Sequence, residues 1–174
     1  MKLGFGLILT VILFAAGFWF FRPETERPSE KLEAPVASSV EKIHITTKDG
    51  VEITGDYYPP TGEKQMGGGV SRGVLLIHMM PADRKSFAKF AEKLQAAGFP
   101  ALAIDLRGHG ESQRGPEGYK TFSDEEHQGS EFDVLAGAMF LRSKKVDEFH
   151  LIGASIGANL ALQYASLHPN ARSA

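Results

Sequence analysis

The most constraining stretch of this 174-residue chain runs from Phe149 to Leu160: an apolar run, the turn Gly153-Ala154-Ser155-Ile156-Gly157, and the start of an apolar-patterned segment. The run before Gly153 is short and has polar flanks, which predicts a buried strand, and Ala158 to Ala165 carries helical spacing. Ser155 then falls on a strand-to-helix turn. Such a turn is tight enough to need glycine two positions to either side, where a Cβ would collide. The serine hydroxyl is left exposed at the carboxyl end of the sheet. The following helix aims its free N–H groups and partial positive charge at the place where an oxyanion forms, with the Ile156 N–H as first donor. Gly-x-Ser-x-Gly is a loose pattern by itself, so the rest of the chain decides its weight.

Upstream, the order of elements is that of an α/β sheet. Ile43 and Ile45, then Val51, Ile53 and Tyr57, alternate around Lys48-Asp49-Gly50, and Asp-Gly between two such runs predicts a hairpin. Residues 59 to 72, with Gly67-Gly68-Gly69, read as a flexible connection; the triple glycine lacks the lysine of a phosphate loop. Gly73 to His78 is a continuous apolar run of the parallel-strand kind. Phe87, Phe90, Ala91, Leu94 and Ala97 recur at helical intervals with Gly98 as a stop, and Pro100 to Asp105 is a second strand. Strand, helix and strand with short connections predict a right-handed βαβ unit.

Leu106 to Phe122 reads as a long loop. Ser123 and Glu126 have capping-box spacing and open a helix whose predicted apolar face is Phe132, Leu135, Ala136, Met139 and Phe140, ending near Lys144-Lys145. Asp133 and Asp147 read as ordinary helix-face and loop acids. Asn170 to Ala174 resembles the entry into a further strand.

Ahead of all this, Leu3 to Phe21 is an uncharged, nearly all-apolar run ending in Phe18-Trp19-Phe20-Phe21-Arg22. At about 1.5 Å per residue it just spans a hydrocarbon core of roughly 30 Å. The aromatic cluster and following charge fit a membrane interface. An uncleaved anchor is favoured over a signal peptide cut near Ala15-Ala16-Gly17, because the apolar run continues past that site. Either way the rest of the chain is expected outside the cytoplasm. The chain thus divides into an anchor or signal over residues 1–22, a Pro-punctuated solvated tether over 23–40, and a folded α/β domain over 41–174.

Composition narrows the partners. A net charge of −2 and the absence of a basic run exclude an electrostatic nucleic-acid binder, which leaves a small molecule. No cysteine is present, so disulfides and thiolate metal sites are excluded, and the six histidines lack metal-ligand spacing. No cofactor and no metal are expected.

Residues 41 to 174 resemble the N-terminal half of an α/β-hydrolase, a mostly parallel sheet flanked by helices. Three motifs carry the likeness: His78-Met79-Met80-Pro81, where members have His-Gly-x-Pro; Asp105-Leu106-Arg107-Gly108-His109-Gly110-Glu111-Ser112, near the Asp-x-Arg-Gly-His-Gly-x-Ser loop of the esterase, epoxide hydrolase and lyase-like branch; and Gly153 to Gly157. The resemblance implies that Ser155 is a nucleophile forming an acyl-enzyme, and that the N–H groups of Met80 and Ile156 make the oxyanion hole. It implies loop-holding roles for His78, Asp105, Arg107 and His109. Met79 replaces the usual glycine, and a positive φ there would strain it. The pair Met79-Met80 also suits the wall of an apolar acyl pocket.

In this fold the acid and histidine of the triad follow the nucleophile helix. Nineteen residues follow Ser155, and their one histidine, His168, is thirteen positions on, roughly 20 Å along a helix. The 174 residues by themselves are therefore expected to have little hydrolase activity, to stop in mid-fold and to be prone to aggregation. The expected chemistry of the family is hydrolysis of a carboxylic ester, less readily an amide or thioester, or acyl transfer to another acceptor. The rival is a non-catalytic module that holds an apolar ligand or partner at Met79-Met80.

Overall fold

The computed structural model describes residues 39–61 and 71–174. The expected membrane segment at 3–21, tether residues 23–38 and the glycine-rich connection at 62–70 lie outside them. Among the described residues no helix is long and apolar enough to cross a membrane.

The hairpin predicted around Asp49-Gly50 forms as β1 (Glu41–Thr46) and β2 (Glu52–Tyr58), antiparallel, with Ile43 opposite Gly55 and Ile45 opposite Ile53. Gly50 takes the positive φ of 83° that the turn requires. β3 (Arg72–Ile77) is followed by a 3₁₀ turn at Arg84–Phe87, helix α1 (Ala88–Ala96) and β4 (Ala101–Ile104), which pairs parallel with β3. After a long loop come α2 (Asp124–Gln128), α3 (Ser130–Ser143), β5 (Glu148–Gly153), α4 (Ile156–Leu167) and β6 (Ala171–Ser173). The six strands form one mixed sheet in the order β1-β2-β4-β3-β5-β6. β2 meets β4 antiparallel, and every pairing from β4 through β6 is parallel.

Strand alternation divides the core. Leu75, Ile77, Leu102, Ile104, Phe149 and Leu151 point to one face and pack under α3 and α4. Val74, Leu76, Ala101 and Ala103 point to the other and meet Phe87, Ala91 and Leu94 beside or on α1. Both faces of the inner strands are covered, which is why they read as unbroken apolar runs.

The segment after Ser123 departs from expectation twice. The capping box forms, with Ser123 Oγ accepting from the Glu126 N–H and the Glu126 carboxylate from the Ser123 N–H. The helix is then interrupted at Gly129, where a Cβ would fall 2.3 Å from Arg107 Nη1. Glycine leaves room for that guanidinium and is itself a weak helix former. The buried face is also not the expected one: it consists of Asp133, Val134, Gly137, Ala138 and Leu141, while Met139 is 62% exposed. A Cβ on Gly137 would already stand 3.0 Å from Leu75 Cδ1, so α3 lies too close to the sheet for large residues on its inner face. Phe132 and Phe140 are displaced to its flanks, half-buried.

Candidate active site

β5 ends at Gly153 and α4 begins at Ile156, which leaves two residues to reverse the chain. Ser155 absorbs the reversal with φ 51° and ψ −116°, a conformation that costs an L-residue on the order of 1–3 kcal/mol and persists only where its surroundings enforce it. They do so by backbone contact. A Cβ on Gly153 would lie 2.2 Å from the Gly157 carbonyl carbon, and one on Gly157 would lie 2.3 Å from Ile77 O and 2.7 Å from His78 O. The Ala154 N–H donates to Ile77 O at 3.1 Å, which ties the turn to the end of β3. Ser155 is exposed, and its hydroxyl does not cap α4. Among the described residues the Ile156 N–H donates to no protein acceptor.

The loop after β3 flanks this turn. Non-glycine residues with positive φ among those described are Arg114, Lys145 and Ser155, so Met79 sits in ordinary backbone without the strain considered for it. Met79 O accepts from the Ala82 N–H at 2.8 Å and closes the turn Met79–Ala82. His78 is fully buried. Its Nε2 accepts from the Leu106 N–H at 3.0 Å, so the ring proton is on Nδ1 and is donated to Met79 O at 2.9 Å. Burial pushes the His78 imidazole below its usual pKa, opposed by that bond to Met79. The neutral ring is the form these contacts require.

Asp105, also fully buried, has its carboxylate inside its own loop: it accepts from the N–H groups of Arg84 and Glu111 at 2.7 and 2.8 Å and from the Arg84 guanidinium. Arg84 was not singled out from sequence. It is 2% exposed and lies 3.0 Å from both Asp56 and Glu111, so one cation serves three carboxylates. Ser112 Oγ donates to Asp105 O and accepts from the Thr54 N–H, fixing the loop along β2.

Arg107 makes a second buried knot. Its guanidinium donates to Asp133 at 2.9 and 3.0 Å and to Asp49 at 2.7 and 3.1 Å, and its N–H donates to Asp133 Oδ2 at 2.8 Å. Asp133 is therefore no ordinary helix-face acid but a fully buried anchor, because its helix presses that position against the loop. Burial pushes its carboxyl up to about 6 against the pull of Arg107, while Arg107 holds Asp49 down at about 2. His109 stacks on Tyr119 at 4.2 Å, with Nδ1 3.0 Å from Arg107 O. Its Nε2 is buried and meets no partner among the described residues.

Among the described residues, then, neither His78 nor His109 hydrogen-bonds Ser155. No group of three His, Asp or Glu is arranged to hold a metal ion there. A cleft of about 900 Å³ runs along α4 from Ile156 past Asn159 and Gln163 to Leu167, opposite Phe132 and Glu131. Met79 and Met80 do not line it; they stand 45% and 36% exposed above the sheet.

A sequence model described as "alpha/beta hydrolase fold" matches residues 73–172. The AB hydrolase superfamily protein YisY of Bacillus subtilis (strain 168) is 28% identical over 105 residues, which are 59% of this chain and 35% of that protein. The esterase Pf2001 of Pyrococcus furiosus superposes with a TM-score of 0.60 at 24% identity, over 77% of this chain and 49% of that one. A Vigna radiata epoxide hydrolase variant superposes with a TM-score of 0.56 at 21% identity, over 78% and 36%. The chain thus spans about a third of the curated relative it matches and about half of the esterase. Neighbours with different named chemistries share the fold, so these superpositions carry the fold and the residues must carry the chemistry.

Proposed function

The chain belongs to the α/β-hydrolase family, and from that premise we propose that it is a serine hydrolase acting on a carboxylic ester through an acyl-enzyme on Ser155. The observation that carries this reading is the backbone of Ser155: φ 51°, held by contacts that only glycine at 153 and 157 allows, with the side chain exposed. A strained, exposed serine at a helix N-terminus is the arrangement that nucleophilic acyl transfer needs.

In the reaction, Ser155 Oγ bonds to the acyl carbon as its proton passes to a base supplied from outside the described residues. The tetrahedral oxyanion takes hydrogen bonds from the Ile156 and Met80 N–H groups. Its collapse breaks the ester C–O bond, the alcohol leaves with the proton, and water then attacks the acyl-enzyme to release the acid and restore Ser155. Each donor aimed at an oxyanion is typically worth 10²–10³ in rate.

The test is a serine-reactive fluorophosphonate applied to the intact protein. Labelling that disappears in Ser155→Ala supports the hydrolase. The exposed pair Met79 and Met80 favours a second reading, a module that holds an apolar ligand without turnover. Binding of a fatty acid by a protein that the probe never labels would establish that instead. An added alcohol separates acyl transfer from hydrolysis by its ester product. We also propose that residues 3–21 anchor the protein and hold the domain outside the cytoplasm; extraction by alkaline carbonate would refute the anchor.

A further inference from the structure

Resting on the reading of Ser155 as nucleophile, we propose that His78 is a positioning residue that aims the Met80 N–H at the acyl oxygen by holding the Met79 carbonyl on the opposite side of the same peptide plane. The cis peptides among the described residues are Met80-Pro81 and Gly115-Pro116, so the Met79–Met80 bond is trans. In a trans peptide C=O and N–H point in opposite directions, and rotating one rotates the other.

The Met79 carbonyl is held by two donors, His78 Nδ1–H at 2.9 Å and the Ala82 N–H at 2.8 Å. The Ala82 bond alone closes the turn. The His78 bond is the one that comes from the buried side, and it fixes the angle of the plane about its Cα–Cα axis. The Met80 N–H is thereby directed away from the ring, and among the described residues it donates to no protein acceptor.

His78 is itself fixed at three places. Its Nε2 accepts from the Leu106 N–H at 3.0 Å, which ties it to the loop after β4. Its backbone oxygen sits 2.7 Å from where a Cβ on Gly157 would be, against the first turn of α4. The preceding carbonyl, Ile77 O, accepts from the Ala154 N–H. One buried residue therefore touches both the serine turn and the peptide that supplies the second donor. The spacing between the Ile156 and Met80 N–H groups is set through it.

This role needs a donor at Nδ1 and an acceptor at Nε2, and two amides divide those functions. In His78→Gln the longer side chain brings an oxygen to the Leu106 N–H and leaves Met79 O without its buried donor. In His78→Asn the amide nitrogen takes the place of Nδ1 and the Leu106 bond is lost. The experiment measures kcat and KM of the intact protein on p-nitrophenyl butyrate, per folded molecule, beside the thermal midpoint of each variant. His78→Gln is expected to lose about 10–100-fold in kcat with KM within about threefold, and His78→Asn to regain most of that kcat although it melts lower. Equal kcat in wild type and His78→Gln overturns the inference, as does loss of kcat in both variants in proportion to lost stability. Wild-type turnover that is unaffected by Ser155→Ala refutes the nucleophile reading itself, and with it this inference, before any His78 variant is compared.

Discussion

Gly153 and Gly157 meet backbone to backbone across the serine turn, so closely that a Cβ on Gly153 would lie 2.2 Å from both the carbonyl carbon and oxygen of Gly157. The atoms in the way are main chain and cannot swing aside. Gly153→Ala and Gly157→Ala should each cost about 1–3 kcal/mol or more in denaturant unfolding. They should also lose probe labelling of Ser155 even where the protein stays folded. Two variants within 0.5 kcal/mol of wild type that still label would show the turn to be slack.

Ser155 itself should be a site where stability and chemistry conflict. Alanine at 155 keeps the positive φ and its strain, whereas glycine occupies that region freely. Ser155→Gly is expected to unfold at higher denaturant than Ser155→Ala, by on the order of 1 kcal/mol, because the strain relieved exceeds glycine's extra unfolded-state entropy. The reverse order would mean that neighbouring contacts do not enforce the conformation.

The buried Arg84 supports the loop beside the site in a way that one substitution can expose. Arg84→Met leaves the Asp105 carboxylate buried without its cation, which typically costs 3–5 kcal/mol. Adding Asp105→Asn removes the stranded charge and should recover at least half of that loss. A double variant as unstable as the sum of the singles would show that the two residues act independently.

The strands, α1 and the serine turn were legible because each is written locally, as alternation, as 3.6-residue spacing or as glycine where backbones touch. The face of α3 was not, because side-chain size misled: Phe132, Met139 and Phe140 dominate any apolar pattern, yet the near contact of Gly137 with Leu75 reserves the inner face for small residues. Asp133 and Arg84 escaped for another reason. Their partners, Arg107 and Asp105, lie 26 and 21 positions away, and no local pattern in a chain marks which of its charges will be buried together. At the site, sequence located Ser155 and the loop of Met80, but the tautomer of His78 follows only from the Leu106 N–H arriving at Nε2.

Asp133 should make stability depend on pH in a direction unusual for a carboxylate. Burial raises it from 3.8 to about 6, so between those values the folded chain binds a proton that the unfolded chain releases. This contribution is fully present below pH 3.8 and is lost as pH rises through 6, on the order of 1–3 kcal/mol in all. Asp49, on the other side of the same guanidinium, has the opposite sign: held at about 2, its contribution is present above 3.8 and is lost as pH falls toward 2. The buried neutral rings of His78 and His109, both shifted downward, also favour the folded state at higher pH. The whole-protein profile therefore mixes signs, and the informative quantity is the difference between wild type and Asp133→Asn. That difference, from urea unfolding at pH 4 and pH 7.5, should fall by about 1–3 kcal/mol as pH rises. A difference constant across that range would mean that Arg107 keeps Asp133 ionised throughout, and that the pair balances its own burial.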